Sequence, residues 1–156
     1  MRRSEPTAAA AGGFTLIELL LVVVVAAALS AIAVAAYGSQ KEKVEISQAE
    51  GDITRIEGKI SLYEATNGAL PTSLAEVGEG ATLDPWGNPY HYLDFTGLSN
   101  LGQVRKDRNL IPLNSDYDLF STGPDGQWQP PITTAVSQDD IIRADNGGYV
   151  GTASDY

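Results

Sequence analysis

The chain has 156 residues, 43% of them hydrophobic and 19% charged, with a formal net charge of -10 and no cysteine. The lack of cysteine excludes disulfides, thiolate metal sites and cysteine nucleophiles, so a staple on a small domain would have to be something else, such as a metal ion. With 10 lysines and arginines scattered among 20 carboxylates, there is no electrostatic footprint for nucleic acid and no attraction to an anionic membrane face, whereas a divalent cation would suit converging acids.

The first 13 residues, MRRSEPTAAAAGG, carry Arg2 and Arg3 and then small residues. From Phe14 to Tyr37 only Thr15, Glu18 and Ser30 interrupt an apolar run. At helical rise its roughly 24 residues span roughly 36 Å, enough to cross a bilayer with some tilt. Positive charge before the span predicts a cytoplasmic N-terminus with the rest outside. A secretory signal would place its small-residue cleavage site after the apolar core, but here Gly12-Gly13 precedes it. Cutting there would leave the helix on the mature chain. Glu18 is anomalous, because an ionised carboxylate inside a bilayer costs about 2.5–3.5 kcal/mol by insertion scales.

After Gly38 the pattern becomes amphipathic. Ile46, Ala49, Ile53, Ile56, Ile60 and Tyr63 follow a 3-4-3-4-3 spacing, a narrow stripe for packing against a sheet. Asn67-Gly68 ends it, which predicts one long helix over Phe14–Thr66. The stripe covers only about two and a half heptads, too short for a coiled-coil seam to be the better reading. Ser73 with Glu76 reads as a capping box, so a short helix is expected over Ser73–Val77.

In "LDPWGNPYHYLDF" the turn residues Asp84-Pro85 and Gly87-Asn88-Pro89 precede a strand marked by Tyr90, Tyr92, Leu93 and Phe95. His91, the only histidine, has no nucleophile or second histidine near it in the pattern and reads as a strand surface residue. Residues 97–110, "GLSNLGQVRKDRNL", read as an exposed loop with solvated charges. Tyr117 and Leu119 alternate with acids and predict another strand, Gly123-Pro124-Asp125-Gly126 is a turn, and Pro130-Pro131 opens a loop that closes near Ser137-Gln138-Asp139-Asp140 before Ile141-Ile142. No nucleophile–base pairing, phosphate-cradling glycine loop or acid pair in a cleft is legible, so the chain reads as a non-enzyme.

Two groups of residues resemble a known family. Gly13, Phe14, Thr15, Leu16, Ile17, Glu18 and Leu19 resemble the prepilin peptidase site of type IV pilins and type II secretion pseudopilins. The "YDL.S.G.DG…DDI" pattern from Tyr117 to Ile141, with "DPWGNPY.Y" before it, is similar to the major pseudopilin, or G subunit, family of type II secretion systems. The similarity runs from Gly13 to about Gly151.

The resemblance implies a pilin-like α+β fold, in which a long N-terminal helix, half transmembrane and half amphipathic, packs on a small antiparallel sheet. It implies a leader over 1–13, a transmembrane and filament-core helix over 14–37, and a periplasmic globular domain over 38–156 that includes the C-terminal half of the helix. Cleavage would fall between Gly13 and Phe14, with N-methylation of Phe14. The α-amino group so created could pair, across subunits, with Glu18, and such a buried pair is a good register device even where it stabilises little. Relatives carry a proline near the end of the apolar segment, and the aligned position here is Ala35. Whether Ala35 and Gly38 permit similar local melting stays open.

The partners implied are further copies of the chain in a homopolymer, inner-membrane lipid, a prepilin peptidase, minor pseudopilins and a secretion-system assembly platform, with no nucleic acid. The family also closes its sheet around calcium, which takes six to eight oxygens in flexible geometry. Asp125, Asp139 and Asp140 are the expected Ca2+ ligands, and Ser121, Gln127 and backbone carbonyls are further candidates. Asp118 is set aside because strand alternation is expected to point it away. Gln138 stands where relatives place an acid, and the competing reading is that these acids only cap turns. Two other functions stay open. One is a type IV pilin of a surface fibre for adhesion, motility or DNA uptake. The other is a membrane-anchored calcium-binding domain that never polymerises.

Overall fold

The computed structural model describes residues 13–98, 100–108 and 112–156. Of the expected leader only Gly13 is among them, and part of the 97–110 loop lies outside the described residues. The fold is α+β, with one long helix followed by a four-stranded antiparallel sheet. The chain divides into two units, Met1–Gln40 and Lys41–Tyr156.

Helix α1 runs from Leu16 to Asn67 over 52 residues. Gly68, at φ 75°, takes the left-handed position just beyond it and donates its N–H to the Glu64 carbonyl at 2.7 Å. Ala35 and Gly38 both lie inside this continuous helix. In the first unit the apolar side chains face outward, from Leu16 at 81% exposure to Val25 at 48%. Among the described residues α1 is the one helix long and apolar enough to cross a membrane.

In the second unit the expected stripe forms the helix side of the core. Ala49, Ile53, Ile56 and Ile60 are fully buried, with Ile46 partly so. They pack on Tyr117, Leu119 and Ile141 from one face of the sheet and on Tyr90, just before its first strand. Strands β1 (His91–Asp94), β2 (Tyr117–Ser121), β3 (Ile141–Ala144) and β4 (Tyr149–Thr152) lie in the order β1-β2-β3-β4. Strand β4 pairs Val150 with Arg143 and Gly151 with Ile142.

The opposite sheet face is covered as well. Phe120 and Ile142 point into a second cluster with Leu113, Ile132, Ala144 and Ala153, packed on by Trp128 and Tyr149. Every residue of β2 is therefore buried. Asp118, set aside as pointing away, points away from the helix but into this covered face rather than into solvent.

The short helix near Ser73 is a 3-10 turn over Leu74–Val77, and its cap differs from the expected one. Ser73 makes no side-chain cap bond. Instead Glu76 reaches back to Thr72, accepting from its N–H at 2.8 Å and its hydroxyl at 3.1 Å. Only the backward half of the expected box is made, and it reaches one residue further, to Thr72.

Candidate functional site

The first expected site lies at the start of α1. Thr15 is the residue before the helix and Glu18 its third helical position, the T-x-x-E spacing of a capping box. The Thr15 hydroxyl accepts from the Glu18 N–H at 3.3 Å, and Glu18 Oε2 accepts from the Thr15 N–H and hydroxyl, each at 3.4 Å. Glu18 therefore has a local partner within its own chain, which the reading of the apolar run did not include. The bonds are long and the carboxylate is exposed, so it retains capacity for a second partner. Gly13 and Phe14, the residues of the expected cut, are exposed too.

The second site is the acidic C-terminal loop. Asp84 anchors the turn before β1 to it, with Oδ1 accepting from the N–H of Trp86 and Asn88 and Oδ2 accepting from the Ser121 hydroxyl at 2.5 Å. Asn88 donates to the Gly123 carbonyl at 2.9 Å. Gly123 has φ 63°, and a Cβ there would collide with the Asp139 carbonyl, so only glycine lets the two arms of the loop approach this closely.

Across that gap Asp125 and Asp139 meet, the Asp125 N–H pointing to Asp139 Oδ2 at 3.4 Å. Asp125 Oδ1 meanwhile accepts from the Gln127 N–H at 2.7 Å, an Asx turn of the kind the competing reading describes. Gln138 turns its amide to the Ile132 carbonyl at 2.9 Å.

Asp140 does not join them. It is fully buried, and its Oδ2 accepts from Arg105 Nη2 at 2.5 Å. Its other oxygen has no hydrogen-bond partner among the described residues. Burial pushes the Asp140 carboxyl up to about 6 against the pull of Arg105. Asp118 is likewise raised to about 6 by burial, opposed first by the Arg105 main-chain N–H, which it accepts at 2.6 Å. No group of three His, Asp or Glu side chains gathers to hold a metal ion among the described residues. The structure thus places Asp125 and Asp139 against each other and Asp140 against the Arg105 guanidinium.

Arg105 is the residue that sequence reasoning missed. It lies in the segment read as an exposed loop, yet it is 1% exposed and Val104 beside it is fully buried. A charged residue next to one valine gives no periodic signal, and its partner is 35 positions away. His91 is in β1 as expected, but it is half-buried and stacked on Phe120 with ring centroids 4.9 Å apart, not a free surface residue. Burial lowers its pKa, and nearby Arg105 lowers it further.

Comparison with known proteins decides the family. The type II secretion system core protein G of Escherichia coli (strain K12) is 30% identical over 120 residues, covering 64% of this chain and 72% of the relative. The chain belongs to the core protein G family of pseudopilins. It matches no protein-family model and no solved structure. Within the pseudopilin family the long helix and the small sheet head are the expected parts, and the buried Arg105–Asp140 pair is what the acidic loop motif did not announce.

Proposed function

We propose that this pseudopilin is a structural subunit of a type II secretion pseudopilus, polymerising from the inner membrane to drive export of folded periplasmic proteins. The observation that carries the reading is the exposed apolar half of α1 with Glu18 at its start, on a chain of the core protein G family. An apolar surface of that length has to be covered by lipid, by other copies of the helix, or by each in turn.

In this reading the chain enters the inner membrane with its N-terminus in the cytoplasm and its head in the periplasm. A prepilin peptidase cuts between Gly13 and Phe14, and Phe14 is N-methylated. The protomer waits in lipid until an assembly platform adds it to the homopolymer, under minor pseudopilins. Two groups that are each costly in an apolar bundle, the Phe14 amine and the Glu18 carboxylate, then neutralise each other across subunits and set the axial step. The chain has no catalytic part in this cycle.

The test is proteomics of medium and periplasm from a strain lacking only this chain. A defined set of folded proteins should leave the medium and accumulate in the periplasm. An unchanged secretome together with loss of surface fibres would give the chain to a type IV pilus instead.

A further inference from the structure

The 122–140 connection between β2 and β3 is long for a link between neighbouring antiparallel strands, and its regular structure is one 3-10 turn over Ala135–Ser137. With no disulfide in the chain, something else has to hold it. The acidic motif pointed to a divalent ion. The described geometry shows a cation of a different kind already in place.

Arg105 enters from outside this loop and grips it at three points. Its Nη1 donates to the Gln129 carbonyl at 2.8 Å and lies 3.4 Å from the Ser137 hydroxyl, and its Nη2 donates to Asp140 at 2.5 Å. The guanidinium lies over the Phe120 ring at 4.5 Å and near the Trp128 ring at 5.7 Å. The main chain continues the clasp, since Lys106 N–H donates to Pro130 and Ile132 N–H returns to Lys106, at 3.0 and 2.9 Å. Ser137 also bonds the Gln129 main chain in both directions. One side chain thus reaches the middle of the loop at Gln129 and its end at Ser137 and Asp140.

A guanidinium suits this place better than an ammonium would. It is planar, permanently charged, weakly hydrated, and presents its donors in a fixed fork that also stacks on aromatic faces. Asp140, the one fully buried acid of the expected calcium set, is matched by it. Of the expected acids that leaves Asp125 and Asp139, and Asp125 is exposed and already closes an Asx turn.

We propose that Arg105 is the resident cation of the head, closing the 122–140 loop through Asp140, Gln129 and Ser137 so that the domain folds without a divalent ion. This does not rest on the secretion reading, since a surface pilin with the same head would be tied in the same way.

The test is thermal unfolding of the full chain in detergent micelles, followed by tryptophan fluorescence, with excess calcium chloride or with EGTA. The wild-type midpoint should agree within about 2 °C between the two, where a bound ion essential to the fold would supply roughly 10 °C or more. Arg105→Met should lower the midpoint by more than about 10 °C in both conditions, with no rescue by calcium, because it leaves Asp140 buried without its partner. Arg105→Lys keeps the charge but loses the fork, and should fall between the two. A wild-type midpoint that drops by about 10 °C in EGTA would overturn the proposal, as would an Arg105→Met chain that melts with the wild type. If Arg105→Met does not fold at all, the wild-type comparison decides alone.

Discussion

Arg143 on β3 and Glu57 on α1 stand 86 residues apart in the chain, and Arg143 Nε donates to Glu57 Oε1 at 2.7 Å. The same guanidinium makes a two-pronged pair with Asp116, both bonds at 2.8 Å, and lies over the Tyr117 ring at 4.1 Å. It ties the sheet to the helix half that covers it. Arg143→Met should destabilise the head by about 1.5–3 kcal/mol, because it removes charge-assisted bonds to two part-buried carboxylates. Arg143→Lys should recover only part of that, since an ammonium cannot bridge Asp116 with two parallel bonds. Urea unfolding of the three proteins measures both steps, and equal stability of wild type and Arg143→Met would remove this tie from the account.

Glu79 carries a pH dependence of definite sign. It is almost fully buried and accepts from Lys59 at 2.5 Å, from Thr82 at 2.5 Å and from Arg55. Burial alone would raise its pKa, but the bonds from Lys59, Thr82 and Arg55 outweigh that and hold it at about 2. An unfolded glutamate titrates near 4.3. The folded pKa is the lower one, so the contribution is fully present above the unfolded value and disappears as pH falls through about 2. Chemical unfolding from pH 7 to pH 2 should show stability declining below about pH 5. Glu79→Gln should cost about 1–2 kcal/mol at neutral pH and flatten that decline. An unchanged slope in the variant would assign the acid sensitivity to other carboxylates.

The parts legible in the sequence are those where one interaction repeats. The Ile46–Ile60 part of the stripe was readable because these residues enter one core cluster, so the spacing reports the helix period directly, whereas Tyr63 lies outside that cluster. Strand β1 was readable from clustered aromatics after turn residues, and β2 from Tyr117 and Leu119 alternating with acids. Strand β4 was not: Tyr149-Val150-Gly151-Thr152 is short and contains a glycine that normally weakens a strand. It is held by its register with β3, and the Tyr149 ring folds back so that its hydroxyl donates to the Thr152 carbonyl at 2.8 Å. At the acidic loop, spacing placed Asp125 and Asp139 in the same region but could not separate them from Asp140. That separation comes from Arg105, whose burial depends on partners from three distant segments, and no local pattern encodes such a meeting.

Two glycines in the helix make a prediction about stability alone. Gly51 and Gly58 are exposed, lie inside α1 with ordinary helical dihedrals, and a Cβ at either would meet nothing within 4 Å. Nothing within the chain requires glycine there, and glycine costs about 0.8–1.0 kcal/mol relative to alanine in a helix interior. Gly51→Ala and Gly58→Ala should each raise the unfolding free energy of the detergent-solubilised monomer by about that amount, and additively, since they lie two turns apart. A loss of stability in either would mean that this helix face is covered in the monomer.

The last prediction separates two roles of Glu18. In the single chain it closes a capping box with Thr15, while in the proposed filament its charge meets the Phe14 amine of a neighbour. Glutamine serves a capping box nearly as well as glutamate but carries no charge. Glu18→Gln should therefore leave the isolated helix intact and still impair assembly, whereas Glu18→Lys should abolish assembly by setting two cations against each other in an apolar bundle. Asp at the same position keeps the charge on a shorter arm and should give partial assembly. The head should melt at the same temperature in all three, because Glu18 belongs to the first unit of the chain. The readout is cysteine-independent chemical crosslinking of membranes into multimer ladders, with the head's melting temperature as control. If Glu18→Gln assembles like the wild type, the carboxylate acts as a local cap and the inter-subunit charge pair is wrong. If Glu18→Lys also assembles and supports secretion, the polymer mechanism itself fails.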